Sequence, residues 1–178
     1  QSRLWENHVG RSKEFWRIFL PKIKEKIPSL NTTLQEVYES INQVYDDNPI
    51  RIEADELTYH MHIVVRFETE RKFMEEDLEV DEIPQYWNRK MEKYLKISPE
   101  NDSEGCLQDI HWAHGGFGYF PTYSLGSVLS AQIFEKVDSE IDDLQKNITE
   151  GNFQSLKKKK KKNIHRHGKR YTTNELIK

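Results

Sequence analysis

The chain has 178 residues, enough for one sizeable core, with a net charge of −3, 32% charged and 35% hydrophobic residues. That balance excludes a disordered polyelectrolyte, and no apolar run approaches the roughly 18 residues a membrane helix needs, so no membrane partner is expected. The single cysteine, Cys106, excludes an internal disulfide; with no basic, apolar leader at Gln1, a cytoplasmic setting is expected.

Helical periodicity dominates, and the fold class expected is mainly α, with at most a very small β element. Leu4, Trp5, Val9, Trp16, Phe19 and Leu20 form one apolar stripe. Pro21 disfavours a helical Leu20, so the spacing predicts that the first helix stops or kinks there and that Pro21 opens a short one closed before Pro28. Thr33 and Glu36 have the spacing of a capping box, followed by Leu34, Val37, Tyr38, Ile41, Val44 and Tyr45 on one face. Asp46-Asp47-Asn48-Pro49 reads as a turn, and the one candidate strand lies around Ile50.

Beyond it, Ala54, Leu57, Met61, Val64 and Val65 predict a helix with that face inward. After an acidic stretch, Ile83-Pro84 opens a helix carrying Trp87, Met91, Tyr94 and Leu95. A polar loop over 98–105 follows. A long helix after Gly126 carries Val128, Leu129, Ile133, Val137, Ile141 and Leu144. Residues 151–178 hold ten Lys or Arg against one Glu, so the rest of the chain is strongly acidic. The run 157–162 lacks interleaved aromatics or a nucleic-acid motif, so a solvated face in a basic tail helix is expected and a nucleic-acid partner is not.

Chemistry concentrates in Gly105-Cys106-Leu107-Gln108-Asp109-Ile110-His111-Trp112 and the run Gly115-Gly116-Phe117-Gly118-Tyr119-Phe120-Pro121-Thr122-Tyr123. Acid, imidazole, amide and rings lie here on a segment whose glycines permit close backbone approach, so it reads as the wall of a site on a loop between helices. Arg51 and Asp55 stand at the i,i+4 spacing of an ion pair on one helical face. From spacing alone the reading is a structural ion pair. By itself His111, beside Trp112, reads as a satisfied core or turn histidine; Tyr119 and Tyr123 either pack with Phe117, Phe120 and Trp112 or donate to a carboxylate or oxyanion. His60 and His62, and likewise His165 and His167, are two apart, a poor metal spacing, and are assigned to structure; His8 and His114 receive no role.

Ile50-Arg51-Ile52-Glu53-Ala54-Asp55 and the 105–112 segment together resemble the I-R-x-x-A-D and G-x-x-Q-D-x-H-W motifs of the carboxypeptidase Taq family, in the same order and at the family's separation. Gln1-Ser2-Arg3-Leu4-Trp5-Glu6-Asn7 resembles the continuation of its H-E-S-Q motif, and Asn163-Ile164-His165-Arg166-His167-Gly168 its C-terminal signature. The resemblance implies a zinc metallocarboxypeptidase, a long-helix fold around a deep groove, a homodimer, and peptide substrates with a free C-terminal carboxylate. The two histidines of H-E-x-x-H and the glutamate of H-E-S-Q would hold zinc, cobalt or another divalent metal; all three fall upstream of Gln1, and no metal ligand is assigned in this chain. The expectation is that residues 1–178 are the C-terminal part of a single catalytic domain whose missing N-terminal portion is their partner.

Carried over by motif, Arg51 would take the terminal carboxylate with Asp55 orienting it, and His111 and Tyr123 would bind the carboxylate or the oxyanion, with Tyr119 beside them. Gln108, Asp109 and Trp112 would be supports, the first two bonded to ligands upstream. Where the family has Trp-Leu in its last helix this chain has Lys159 and Lys160, so the apolar contact that docks that helix is not expected. A rival reading is a non-catalytic helical interaction module derived from such an enzyme.

Overall fold

A computed structural model describes residues 2–176, and no strand occurs among them. A π-helical turn over Leu4–Gly10 precedes α1 (Lys13–Lys26), α2 (Leu34–Ile41), α3 (Tyr59–Glu75) and α4 (Ile83–Leu95). They are followed by α5 (Pro121–Glu140), α6 (Leu144–Thr149), α7 (Gln154–Asn163) and α8 (Thr173–Leu176). Two compact units result, one of Gln1–Ile41 with Ser127–Lys178 and one of Asn42–Gly126.

In the first unit, the break expected at Pro21 lies earlier. Pro21 is inside α1, and the chain turns instead at Ser12, whose extended backbone (φ −78°, ψ 149°) lets its Oγ accept from Phe15 N at 3.2 Å. Proline removes only one N–H from a helix that burial of Leu20 holds in place, whereas a serine N-cap supplies an acceptor where the helix has orphan donors. The capping box of α2 is formed in both directions, Glu36 N donating to Thr33 Oγ1 (3.2 Å) and Thr33 N to Glu36 Oε2 (2.7 Å). That helix is shorter than its pattern predicts: Arg11 Nη1 donates to Ile41 O at 2.7 Å, and Val44 and Tyr45 lie beyond the helix, largely exposed.

The core of this unit joins Leu4, Val9, Val137, Leu144, Ile148 and Leu156, with Trp5, Phe15 and Phe153 packed against it. α5 begins at Pro121 rather than after Gly126, because proline suits a first helical turn and one interior glycine does not end a helix. It stops at Glu140; Asp143 adopts a left-handed conformation (φ 55°), so Leu144 opens α6 instead of closing α5.

The lysine-rich helix docks without the family's Trp-Leu pair. Leu156 and Lys160 of α7 are buried; the Lys160 stem is covered and its Nζ stands 4.7 Å over the Trp5 ring, while Lys159 Nζ reaches Glu140 Oε2 at 2.5 Å. A lysine stem covers apolar surface much as a leucine does, and an aromatic face accepts its charge. The run 157–162 is therefore not a uniformly solvated face. The basic tail helix expected over 157–178 is not one helix: α7 begins at Gln154 and ends at Asn163, a 3-10 turn spans His165–His167, and Gly168 (φ 56°) turns the chain before α8. Residues 177 and 178 of the expected tail lie outside the described residues.

In the second unit the candidate strand at Ile50 is a single extended residue leading into a 3-10 turn over Arg51–Glu53. α4 buries Trp87 and Met91 as its pattern predicts, against Val65 of α3 and Cys106. α3 differs. Leu57 precedes the helix and is 69% exposed and Met61 is partly exposed, while Tyr59, His62, Ile63, Val65, Arg66, Thr69 and Glu70 are buried. The helix turns a largely polar face inward, and that face meets the two motif segments.

Candidate active site

Three pieces of the second unit converge: the 3-10 turn carrying Arg51, the inner face of α3, and residues 105–123. Arg51 is 6% exposed and its backbone N–H donates to Gln108 Oε1 at 2.8 Å. Gln108 Nε2 in turn donates to Pro49 O (3.1 Å), Glu104 O (2.6 Å) and Gly105 O (3.2 Å). One amide side chain thus locks the two motif segments together through backbone groups, a job that needs donor and acceptor on one planar group.

Asp109 takes the guanidinium. Its Oδ1 accepts from Arg51 Nη2 at 2.6 Å and Nε at 3.0 Å, and its Oδ2 accepts from Arg66 Nε at 2.6 Å. Burial pushes the Asp109 carboxyl up, but the Arg51 hydrogen bonds and the Arg66 charge outweigh it and hold the group below its ordinary value. For Arg51, burial is likewise outweighed by Asp109 and Tyr59, and its pKa is raised. Arg51 Nη1 also donates to Tyr59 Oη at 3.1 Å, and the rings of Tyr123, Phe120 and Tyr59 stand 5.3, 5.7 and 5.9 Å from its guanidinium carbon.

Asp55 does not orient Arg51. Its Oδ1 accepts from the backbone of Leu57 and Thr58 and its Oδ2 from Thr58 Oγ1 and Tyr45 N, so both oxygens anchor the start of α3. Those bonds outweigh burial and hold its carboxyl below its ordinary value. The i,i+4 pairing fails because Ala54 is extended (φ −64°, ψ 143°) between the two residues. Gln108 and Asp109 bond within this chain, Gln108 to Arg51 N and the carbonyls of Pro49, Glu104 and Gly105, and Asp109 to Arg51 and Arg66.

His111 and Tyr123 meet: Nε2 and the phenol oxygen are 3.0 Å apart, the tautomer deciding which donates. The imidazole lies 4.3 Å from the Phe120 ring centre, and Tyr119, 52% exposed, stacks at 5.9 Å. His111 Nδ1 is buried with no hydrogen-bond partner, 3.9 Å from Asp109 Oδ1, too far for a bond. Burial, together with Arg51, lowers the His111 pKa below 6.5, so it is neutral at pH 7; burial raises that of the Tyr123 phenol. The cluster thus presents a fixed cation, a neutral imidazole and a protonated phenol, a donor set suited to an anionic or carbonyl oxygen.

Trp112 is held by a residue the sequence did not single out. Its Nε1 donates to Glu70 Oε1 at 2.7 Å, and Glu70 Oε2 accepts from Gly118 N at 3.0 Å. Gly118 (φ 73°) and Gly115 (φ 78°) occupy left-handed conformations that turn the loop back onto α3. Tyr59, Arg66 and Glu70 were missed because only apolar residues were used to orient α3. A polar stripe at 59, 62, 66 and 70 recurs at helical spacing and is the signal that finds them.

His60 Nδ1 is 2.9 Å from Ser124 Oγ, tying α3 to the start of α5. His62 is fully buried with neither ring nitrogen hydrogen-bonded, and burial, then Arg66 and Arg51, push its pKa down to about 4. His8, in the other unit, stacks on Phe134 at 4.9 Å. Among the described residues no group of three or more His, Cys, Asp or Glu is placed to hold a metal ion, so these residues do not fit a metal centre. Gln1, which opens the segment resembling H-E-S-Q, lies outside the described residues.

Residues 1–178 match the family model described as carboxypeptidase Taq (M32) metallopeptidase. The chain is 45% identical over 179 residues to thermostable carboxypeptidase 1 of Pyrococcus furiosus, covering 100% of this chain and 36% of that protein. It is 39% identical to thermostable carboxypeptidase 1 of Thermus thermophilus, covering 99% and 35% respectively. A solved structure of Pyrococcus furiosus carboxypeptidase superposes with a TM-score of 0.96 at 44% identity, over 99% of this chain and 36% of that one. The chain therefore spans about a third of the length of the relatives it matches.

Proposed function

This chain belongs to the carboxypeptidase Taq (M32) metallopeptidase family, and on that premise we propose that the whole protein is a metallocarboxypeptidase that removes single C-terminal residues from peptides. Residues 1–178 act as the C-terminal part of its catalytic domain and supply the substrate-binding half of the site. Zinc, or another divalent metal such as cobalt, is held by residues outside this chain. The enzyme works in the cytoplasm as a homodimer.

The observation that carries this reading is the placement of Arg51 beside the His111–Tyr123 pair, with the Tyr123 ring 5.3 Å from its guanidinium carbon. Arg51 binds the substrate's terminal carboxylate, because a planar cation already fixed by Asp109 loses little entropy on gripping a second carboxylate. The neutral His111 and the Tyr123 phenol donate to the same carboxylate or to the oxyanion that develops at the last peptide bond. Tyr119 closes the group from solvent, and Gln108, Asp109 and Trp112 hold its parts in register.

The test is residue release from a peptide by the full-length chain carrying this sequence. Release of one C-terminal amino acid at a time, abolished by a chelator, restored by zinc, and absent for the same peptide amidated at its C-terminus, is expected. In Arg51→Ala the competition constant of the free acid should worsen about 100-fold and that of the amide change little. Equal losses for acid and amide would remove the carboxylate-clamp role.

A further inference from the structure

Arg66 is a buried cation with no role in the reading above. Its side chain is 0% exposed in the middle of α3, its guanidinium carbon lies 4.7 Å from the Trp87 ring and 5.4 Å from Phe120, and its Nη2 has no hydrogen-bond partner. Nη1 donates to the His62 carbonyl at 2.8 Å, and Nε to Asp109 Oδ2. Burying a guanidinium costs stability, and its pKa falls to about 10 through burial, with the charge of Arg51 adding to the drop. A leucine or methionine would pack against Trp87 without that cost.

Charge counting gives the cation a purpose. Two guanidiniums share one carboxylate: Arg51 reaches Asp109 Oδ1 at 2.6 and 3.0 Å and Oδ2 at 3.3 Å, while Arg66 Nε holds Oδ2 at 2.6 Å, so Arg51, Asp109 and Arg66 together carry one positive charge in excess. Asp55 and Glu70 pair with neither arginine; their oxygens accept from neutral donors, Asp55 from Tyr45, Leu57 and Thr58, and Glu70 from Trp112 and Gly118. His62 and His111 are neutral at pH 7 and do not change the count. Without Arg66, Asp109 would neutralise Arg51 one to one.

We propose that Arg66 is a positioning residue for substrate carboxylate recognition: by drawing on the same carboxylate that holds Arg51, it leaves two guanidiniums with one negative charge between them, a surplus for a C-terminal carboxylate to satisfy. Of the five N–H bonds of Arg51, Asp109 takes one on Nε and one on Nη2 and Tyr59 one on Nη1, which leaves one on each Nη for a ligand. Arg66 touches no substrate and acts through Asp109.

This inference rests on the carboxylate-clamp reading of Arg51, and one series of variants of the full-length chain separates the two. An N-acylated dipeptide with a free C-terminus and the corresponding amide are compared as competitive ligands. In Arg66→Met the free acid should bind about tenfold more weakly while the amide is unchanged, KM should rise more than kcat falls, and the acid limb of kcat/KM should move to higher pH as Asp109 loses a cation. Arg66→Lys, which keeps the charge on a single donor, should recover part of the loss and leave the acid-to-amide ratio about threefold below wild type, a deficit that is read alone if Arg66→Met does not fold. An unchanged ratio in every Arg66 variant that folds, with Arg51→Lys losing its preference for the acid, overturns this inference alone. An unchanged ratio in Arg51→Lys as well overturns the clamp.

Discussion

Arg66 and Asp109, forty-three positions apart, meet at 2.6 Å, and this ion pair fastens the middle of α3 to the loop carrying His111. Its side chains are 0% and 9% exposed, and Asp109 also holds Arg51. Asp109→Asn keeps the shape and removes the carboxylate that, among the described residues, is the only one bonded to either guanidinium. Breaking a buried charge cluster in this way is expected to cost about 3–5 kcal/mol, read as a lower urea midpoint at unchanged slope. A loss below about 1 kcal/mol would mean that the two arginines are solvated in the native state.

His62 should make the fold acid-sensitive. In the unfolded chain its imidazole takes a proton near 6.5, and in the folded chain only near 4, because burial and then Arg66 and Arg51 oppose the charge. The folded pKa is depressed, so the unfolded state binds more protons across that interval and stability falls as pH drops from 6.5 to 4. The contribution is on the order of 3 kcal/mol. Urea denaturation at a series of pH values should show this slope, and His62→Leu should flatten it.

Glu70 joins Trp112 to Gly118, and both its oxygens accept N–H groups. In Glu70→Gln one of those donors faces an amide N–H instead. A loss of about 1–3 kcal/mol follows from the unsatisfied donor, with a red-shifted tryptophan emission as the loop loosens. Unaltered emission and stability would show that the loop is held by its rings alone.

Lys160 is buried without a carboxylate partner, and burial lowers its pKa from 10.5. Lys160→Met forfeits the cation-π contact with Trp5 and removes a charge that is costly to bury, with the second effect larger. A gain of about 1 kcal/mol and a higher Tm are expected at pH 7. The unfolded lysine holds its proton to higher pH than the folded one, so wild-type stability rises as pH approaches 10.5 and the advantage of the methionine variant shrinks. A variant less stable than wild type at pH 7 would show that the Trp5 contact outweighs the burial cost.

What the sequence determined by itself was the all-helical class, the inner face of α4, the capping box at Thr33 and Glu36, and the two segments where the chemistry gathers. These follow from short-range rules: apolar residues at helical spacing seek one face, and a hydroxyl three residues before a carboxylate satisfies two orphan donors. Tertiary structure decided the rest, because it depends on partners far apart in the chain. Nothing local says that Arg51 belongs to Asp109 and not Asp55, since the i,i+4 spacing is meaningful only on a helix, and Ala54 is extended. Nor does apolar periodicity reveal that α3 turns Arg66 and Glu70 inward, a choice made favourable only when Asp109, Trp112 and Gly118 arrive to pair with them. The same holds for Lys160, whose burial beneath Trp5 becomes possible when α7 packs against the opening turn of the chain.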